Sequence, residues 1–204
     1  MITDKNKKFL ARFGHSDHID QLVNDENHHV RKEISKNPNL QLDHIDKLVN
    51  DDSWIVRRNI AKHAKLHSYH IEHLMNDEEW GVRWENAKNQ NLQLDHIDRL
   101  VNDSDNIVRS AVAEHPNLQP HHIDALVNDQ APDVRAAVAR HPNLQPHHID
   151  ALANDDNIVA RSNIAKRSDI QPHHIDALVN DHAEYVRRSM SINPRYQEYI
   201  KGKK

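Results

Sequence analysis

Apolar side chains return along this chain at a fixed stride. Ile19, Ile45, Ile71, Ile97, Ile123, Ile149 and Ile175 stand 26 residues apart, and the leucines from Leu22 to Leu178 keep the same interval. Within one stretch, Ile123, Leu126 and Val127 fall at i, i+3 and i+4, which is one face of a helix. Val134, Val138 and Ala139 form a second stripe. Pro120 suits the start of the first helix, because the first helical position needs no N–H. Pro142 closes the second by disfavouring helix at the residue before it. Between the stripes, the pattern predicts that Asn128 ends the first helix in a left-handed cap and that Asp129 caps the next start. Each period therefore predicts two short helices of about 8 to 10 residues, with Leu144 plugging the junction between neighbours.

The polar positions keep the same register. Asp25, Asp51, Asp77, Asp103, Asp129, Asp155 and Asp181 recur at the period, each followed six residues later by an arginine, from Arg31 to Arg187. A fixed period of this length marks stacked units, none of which can bury its apolar face alone. The expected fold is all-α, an α-solenoid of about seven 26-residue two-helix repeats. Residues 1–24 read as an N-terminal cap and first helix with a charged lead-in, Lys5 to Lys8. Residues 25–180 read as six full repeats, and 181–204 as a partial repeat and cap, in one continuous domain. Because every unit repeats the same framework, function is expected where units differ.

Composition narrows the classes. Hydrophobic residues make up 37% and aromatics 4%, too few for one large core but enough for a row of small ones. A formal net charge of −4 gives no global attraction to polyanions. Without cysteine there is no disulfide framework, thiolate metal site or cysteine nucleophile, which agrees with a reducing compartment. Residues 1–13 hold no apolar run fit for secretion, and no later stretch suits a membrane span, so a cytoplasmic location is expected.

The string D-x-x-x-x-V-R-x-x-V-A-x-H-P-N-L-x-P, found in Asp103 to Pro120 and Asp129 to Pro146, resembles the leucine-rich repeat variant family. The resemblance extends from about residue 15 to 194. It implies a right-handed, HEAT-like helical solenoid and, for function, a binding surface. The period is slightly longer than is usual for that family. Some members hold an iron–sulfur cluster through cysteines near the N-terminus, a feature this cysteine-free chain cannot share.

Several groups of side chains are candidates for chemistry. The ladder Asp51, Arg57, Asp77, Arg83, Asp103, Arg109, Asp129, Arg135 reads as structural, with Arg57 satisfying turn carbonyls or the neighbouring Asp51 and Asp77. Lys32, Lys36, Arg58, Lys62, Lys88, Arg140, Lys166 and Arg188 make the second-helix side mildly basic, the alternative being a nucleic-acid backbone contact there. The histidines His18, His44, His70, His96, His122, His148 and His174 are expected on solvent-facing helix surfaces. From there they would shift solubility or partner binding between about pH 5.5 and 7.5. Successive rungs lie too far apart to share a zinc ion, and His63, His67, His70 and His73 lack an acidic or cysteine partner at motif spacing, so no metal or cofactor is expected. With only Gly14, Gly81 and Gly202, neither a glycine-rich phosphate loop nor a nucleophile elbow can be built. The run Asp103 to Asn106 lacks the turn glycine and distal glutamate of a calcium loop. No enzyme and no small-molecule substrate are expected.

The tryptophans break the pattern. Trp54 and Trp80 share a repeat position held elsewhere by His28, Asn106, Pro132, Ile158 and Glu184. Trp84 stands where other units have Lys32, Arg58, Ser110, Ala136, Ser162 and Arg188. Tyr69 stands where Asp43, Asp95 and His121 do. Positions that accept such residues are not core, so Trp54, Trp80, Trp84, Tyr69 and Arg58 are the expected contact residues for a protein partner. The competing reading is that these rings cover a thin core, since Ala64 replaces proline and Asn86 the usual aliphatic nearby. The function expected is that of a non-enzymatic adaptor or inhibitor, which by analogy would suit a phage or bacterial regulatory setting.

Overall fold

The structure, a computed structural model, describes Lys7 and residues 16–202. Among the described residues it is entirely helical. Fifteen helices run in order as α1 Ser16–Leu22, α2 His28–Ile34, α3 Leu42–Leu48, α4 Trp54–Ala61, α5 Ser68–Met75, α6 Trp80–Asn86, α7 Leu94–Leu100, α8 Asn106–Val112, α9 Pro120–Val127, α10 Pro132–Val138, α11 Pro146–Ala153, α12 Ile158–Ala165, α13 Pro172–Val179, α14 Glu184–Ser191 and α15 Pro194–Gly202. The fold class is an all-α solenoid of helix pairs. Most helices are seven or eight residues long, shorter at the lower end than the periodicity predicts. Helices this short are marginal in water, so packing holds them. None is long and apolar enough to cross a membrane.

Contacts group the chain into two compact units, residues 1–100 and 101–204. In the first, α1 packs on α2, α3 on α4 and α5 on α6, and the even helices α2, α4 and α6 pack side by side. Val30, Ile34, Val56, Ile60 and Val82 fill that second-helix layer, while Ile45, Leu48, Ile71 and Leu74 fill the first. Leu40, Leu66 and Leu92 are buried at the junctions. The second unit repeats this arrangement, with α8, α10, α12 and α14 in one row and α9, α11 and α13 in the other. Leu118, Leu144 and Ile170 plug its junctions. The charged lead-in expected at the N-terminus lies outside the described residues apart from Lys7, whose Nζ sits 2.7 Å from Asp25. Lys203 and Lys204 of the expected lysine-rich tail lie outside them too.

The turns differ from expectation. Among the described residues no non-glycine residue has a positive φ, so the left-handed cap is not used. Asn128 sits at φ −104°, ψ 13° and donates its Nδ2 to the Asp124 carbonyl at 3.1 Å. Asn24, Asn50, Asn76, Asn154 and Asn180 bond the carbonyl four residues back in the same way. The periodic asparagine thus caps the first helix through its side chain, satisfying a carbonyl the helix end would leave orphaned. The aspartate beside it is not the N-cap of the second helix. Asp129 Oδ1 accepts the N–H of Ala131, which is itself the N-cap. This Asx turn sets the entry angle of the helix.

Candidate functional site

The Asp–Arg ladder crosses from one repeat to the next. Arg57 donates Nε and Nη2 to both oxygens of Asp77 at 2.6 and 2.9 Å, and Nη1 to the carbonyls of Asp51 and Asp52 at 2.8 and 3.3 Å. Arg109 grips Asp129 at 2.6 and 2.9 Å, and Arg135 grips Asp155 at 2.7 and 3.0 Å. Arg83 donates to the Asp77 carbonyl at 2.8 Å, and the Asp103 carbonyl takes Arg109 Nη1 at 2.8 Å. One planar guanidinium therefore ties the turn of its own repeat to the carboxylate of the next, a geometry only arginine supplies. Burial pushes the Asp129 carboxyl up, but Arg109 and the Ala131 N–H outweigh it and hold it below the usual carboxylate range. These forks are occupied within the fold. They leave little for a ligand.

The histidine ladder is not on the solvent side, contrary to expectation. His44, His70, His96, His122, His148 and His174 are all buried. The reason is their position as third residue of each first helix. There Nδ1 accepts the N–H of the N-cap residue, as His148 does from Gln145 at 3.0 Å and His174 from Gln171 at 2.9 Å. The Nε2 atoms of His44, His70, His148 and His174 reach back one repeat to Asp20, Asp46, Asp124 and Asp150 at 2.6–2.7 Å. An Nδ1 that accepts fixes the neutral tautomer with its proton on Nε2. His147 and His173 add their exposed Nε2 atoms to the same carboxylates at 3.0 and 2.8 Å. The His147–His148–Asp124 and His173–His174–Asp150 groups bring two imidazoles and a carboxylate together, as a metal site would. Yet ligation through Nε2 of His148 would move its proton onto Nδ1, against the Gln145 N–H. The arrangement works as a hydrogen-bond clamp between repeats. His147 first, then His148, hold the Asp124 carboxyl below its usual range, and His173 and His174 do the same for Asp150.

The aromatic candidates divide into two places. Tyr69 belongs to the first-helix layer: its hydroxyl donates to Asp46 at 2.5 Å and its ring lies beside His67 and His70. That hydrogen bond is the main reason the Tyr69 hydroxyl is pushed above its ordinary range. The three indoles belong to the second-helix layer, on α4 and α6. Trp54 opens α4 and is 40% exposed; Trp80 opens α6 and is 45% exposed. The Trp54 ring reaches over Gly81, with Cζ3 3.7 Å from where a glycine Cβ would stand. Trp84, one turn further along α6, is half-buried beneath Lys88, whose Nζ is 3.1 Å from the ring centre. The same repeat position is buried at Ala136 and Ser162 but exposed at Arg188. Arg58 places its Cζ 5.1 Å from the same ring, a cation–π approach.

Sequence reasoning missed what lies under Trp84. Glu85 is buried, and three cations converge on its carboxylate: Arg58 Nε at 3.5 Å, Lys62 Nζ at 3.4 Å and Lys88 Nζ at 3.5 Å. Among the described residues neither Arg58 Nε nor Glu85 Oε2 has a hydrogen-bond partner. The signal was present in the sequence, since Glu85 stands where other units carry asparagine, alanine or serine more often than an acid. Next to it, Asn86 occupies the core position that isoleucine, valine or methionine fills elsewhere. It donates to the Ile71 carbonyl at 2.9 Å, and its Oδ1 has no partner among the described residues.

Stacked helix pairs tied by polar ladders define a helical-repeat protein. Residues 132–157, one full period, match the family model described as leucine rich repeat variant. Among solved structures, the chain is similar to one described as a leucine-rich repeat variant with a novel repetitive protein structural motif. The TM-score is 0.72 at 20% identity, covering 93% of this chain and 76% of that one. No curated protein matches the sequence. The likeness to the leucine-rich repeat variant family is thus carried by a matched repeat and by a shared fold.

Proposed function

We propose that this chain is a non-enzymatic binding protein whose contact face is the second-helix layer of the first unit, centred on Trp54 and Trp80. The observation that carries this reading is the exposure of two indoles at the same position of successive repeats, where no other unit carries an aromatic larger than the imidazole of His28. Solvated indoles cost free energy that a partner recovers, and tryptophan is among the residues most enriched at energetic centres of interfaces. Trp84 and Arg58 support the face from below rather than forming it, and Tyr69 lies in the other layer. The partner favoured is a protein, with adaptor or inhibitor as the mode of action and the cytoplasm as the setting.

The alternative, a nucleic-acid backbone on the basic second-helix side, draws on Lys36, Lys62 and Lys88, which stand one repeat apart. Affinity capture with wild type beside a Trp54→Ala/Trp80→Ala variant tests the main reading. Loss of a specific protein with helicity intact supports it. Equal capture by both proteins rejects it.

A further inference from the structure

We infer that the second-helix face of the first unit takes an acidic protein segment, one that sets apolar side chains on Trp54 and Trp80 and carboxylates on Lys62 and Lys88. This rests on the reading that the two indoles form the contact face. It adds the chemistry of the partner.

The argument starts from charge. Around Glu85 one buried carboxylate faces three cations, Arg58, Lys62 and Lys88, each at 3.4–3.5 Å. None of these three contacts is a short, well-aligned ion pair, unlike the 2.6–2.7 Å contacts of the Asp–Arg ladder. The cluster keeps two positive charges in excess of the one carboxylate, and Trp84 between Arg58 and Lys88 limits how far they can spread. Shape adds to this. A cleft of ≈ 390 Å³ opens between the ends of α4 and α6, lined by Lys62, Ala64, Glu85, Lys88 and Asn89. Ala64 stands where Pro38, Pro116 and Pro142 stand in other units, so the missing ring widens this place. An entering carboxylate would meet the ammonium groups of Lys62 and Lys88, both exposed side chains at its rim. Trp54 and Trp80, at the opposite ends of the same two helices, offer apolar faces to the rest of the segment.

The same features speak against a polyphosphate chain. Asp52, Glu78 and Glu79 flank Trp54 and Trp80, and Glu85 sits at the centre of the basic cluster. A nucleic acid would run its continuous negative charge across those carboxylates. A peptide can place one or two acids where the lysines are and apolar groups where the acids are.

Titration followed by tryptophan emission tests this, because all three indoles lie within the first unit. The probes are a synthetic Glu- and Leu-rich amphipathic peptide, the same peptide with Gln for Glu, and a single-stranded oligonucleotide. The acidic peptide is expected to perturb the emission and bind. Its affinity is expected to fall about tenfold or more in a Lys62→Gln/Lys88→Gln variant, and similarly when salt rises from about 0.05 to about 0.5 M. The circular-dichroism helicity of that variant is read alongside. If it is lost, single Lys62→Gln and Lys88→Gln variants carry the comparison. Equal binding of the Gln peptide, an unchanged affinity in folded lysine variants, or preference for the oligonucleotide overturns the inference. If only the charge dependence fails while Trp54→Ala/Trp80→Ala still abolishes partner capture, the contact face stands and the acidic partner does not.

Discussion

His148 bridges two repeats: its Nδ1 accepts the Gln145 N–H at 3.0 Å and its Nε2 lies 2.7 Å from Asp124 Oδ1. The ring is fully buried, while the Asp124 carboxylate it meets is about half exposed. Replacing it with alanine leaves an unsatisfied backbone N–H and a cavity. The expected loss is about 2–4 kcal/mol of stability in denaturant unfolding. His147→Ala, at the exposed neighbour, is expected to stay within about 0.5 kcal/mol. Equal effects would show that the burial of His148 does not matter.

The arginine ladder predicts a gradient set by position. Arg135 holds the Asp155 carboxylate and two carbonyls, whereas Arg187, among the described residues, reaches the carbonyls of Asp181 and His182 without a carboxylate. Arg135→Ala is expected to cost about 2–3 kcal/mol, since bonds to charged groups are lost and Asp155 loses its partner. Arg187→Ala is expected to cost under about 1 kcal/mol. Thermal unfolding of the two variants side by side checks the order.

Most of the fold was legible in the sequence because every unit spells the same apolar stripes, and a residue such as Val134 or Leu126 has no other way to be buried. The histidine ladder was misread for a physical reason. Histidine looks like a surface residue by type, and its burial follows from a cap geometry at the third helical position that periodicity alone does not reveal. The asparagine was misassigned similarly, because a side-chain bond to Asp124 O serves the same end as a left-handed backbone. In the candidate site, the departures Trp54, Trp80 and Trp84 were visible as breaks in register. Which of them faces solvent was not. That depends on where a position lies across the helix row, and the position of Trp84 accepts both Lys32 and the buried Ser162.

Acid should weaken the fold in two stages. Burial pushes His141 and His63 below the ordinary histidine range. A depressed histidine contributes stability above its unfolded pKa of about 6.5, and that contribution declines as pH falls toward the folded value. The carboxyls of Asp129, Asp155 and Asp181 are also depressed. Their contribution is present above an unfolded pKa of about 3.9 and is lost as pH falls through the lower folded values. Denaturant midpoints are therefore expected to drop modestly between about pH 7 and 5, and steeply below about 4. Asn89 and Asn193 fill the position of His141 elsewhere and bond the Ala61 and Ala165 carbonyls. His141→Asn should thus keep the fold and flatten the first stage. An unchanged slope would place the effect on other groups.

Asn86 is the weak point of the first unit's core. It is fully buried, its Oδ1 without a partner among the described residues, at a position where Ile60 and Val112 pack in other repeats. Asn86→Val is expected to raise stability by about 1–2 kcal/mol and the melting temperature with it, since an unsatisfied buried acceptor is removed. A decrease would mean that the bond to the Ile71 carbonyl outweighs the orphaned oxygen.

The central claim concerns the solvated indoles at the starts of α4 and α6. Its most direct measurement is calorimetric titration of the captured partner into wild type and into Trp54→Ala/Trp80→Ala, with circular dichroism on both. The account predicts unchanged helicity and a binding loss of at least about 2 kcal/mol. Equal affinity in the two proteins would contradict it.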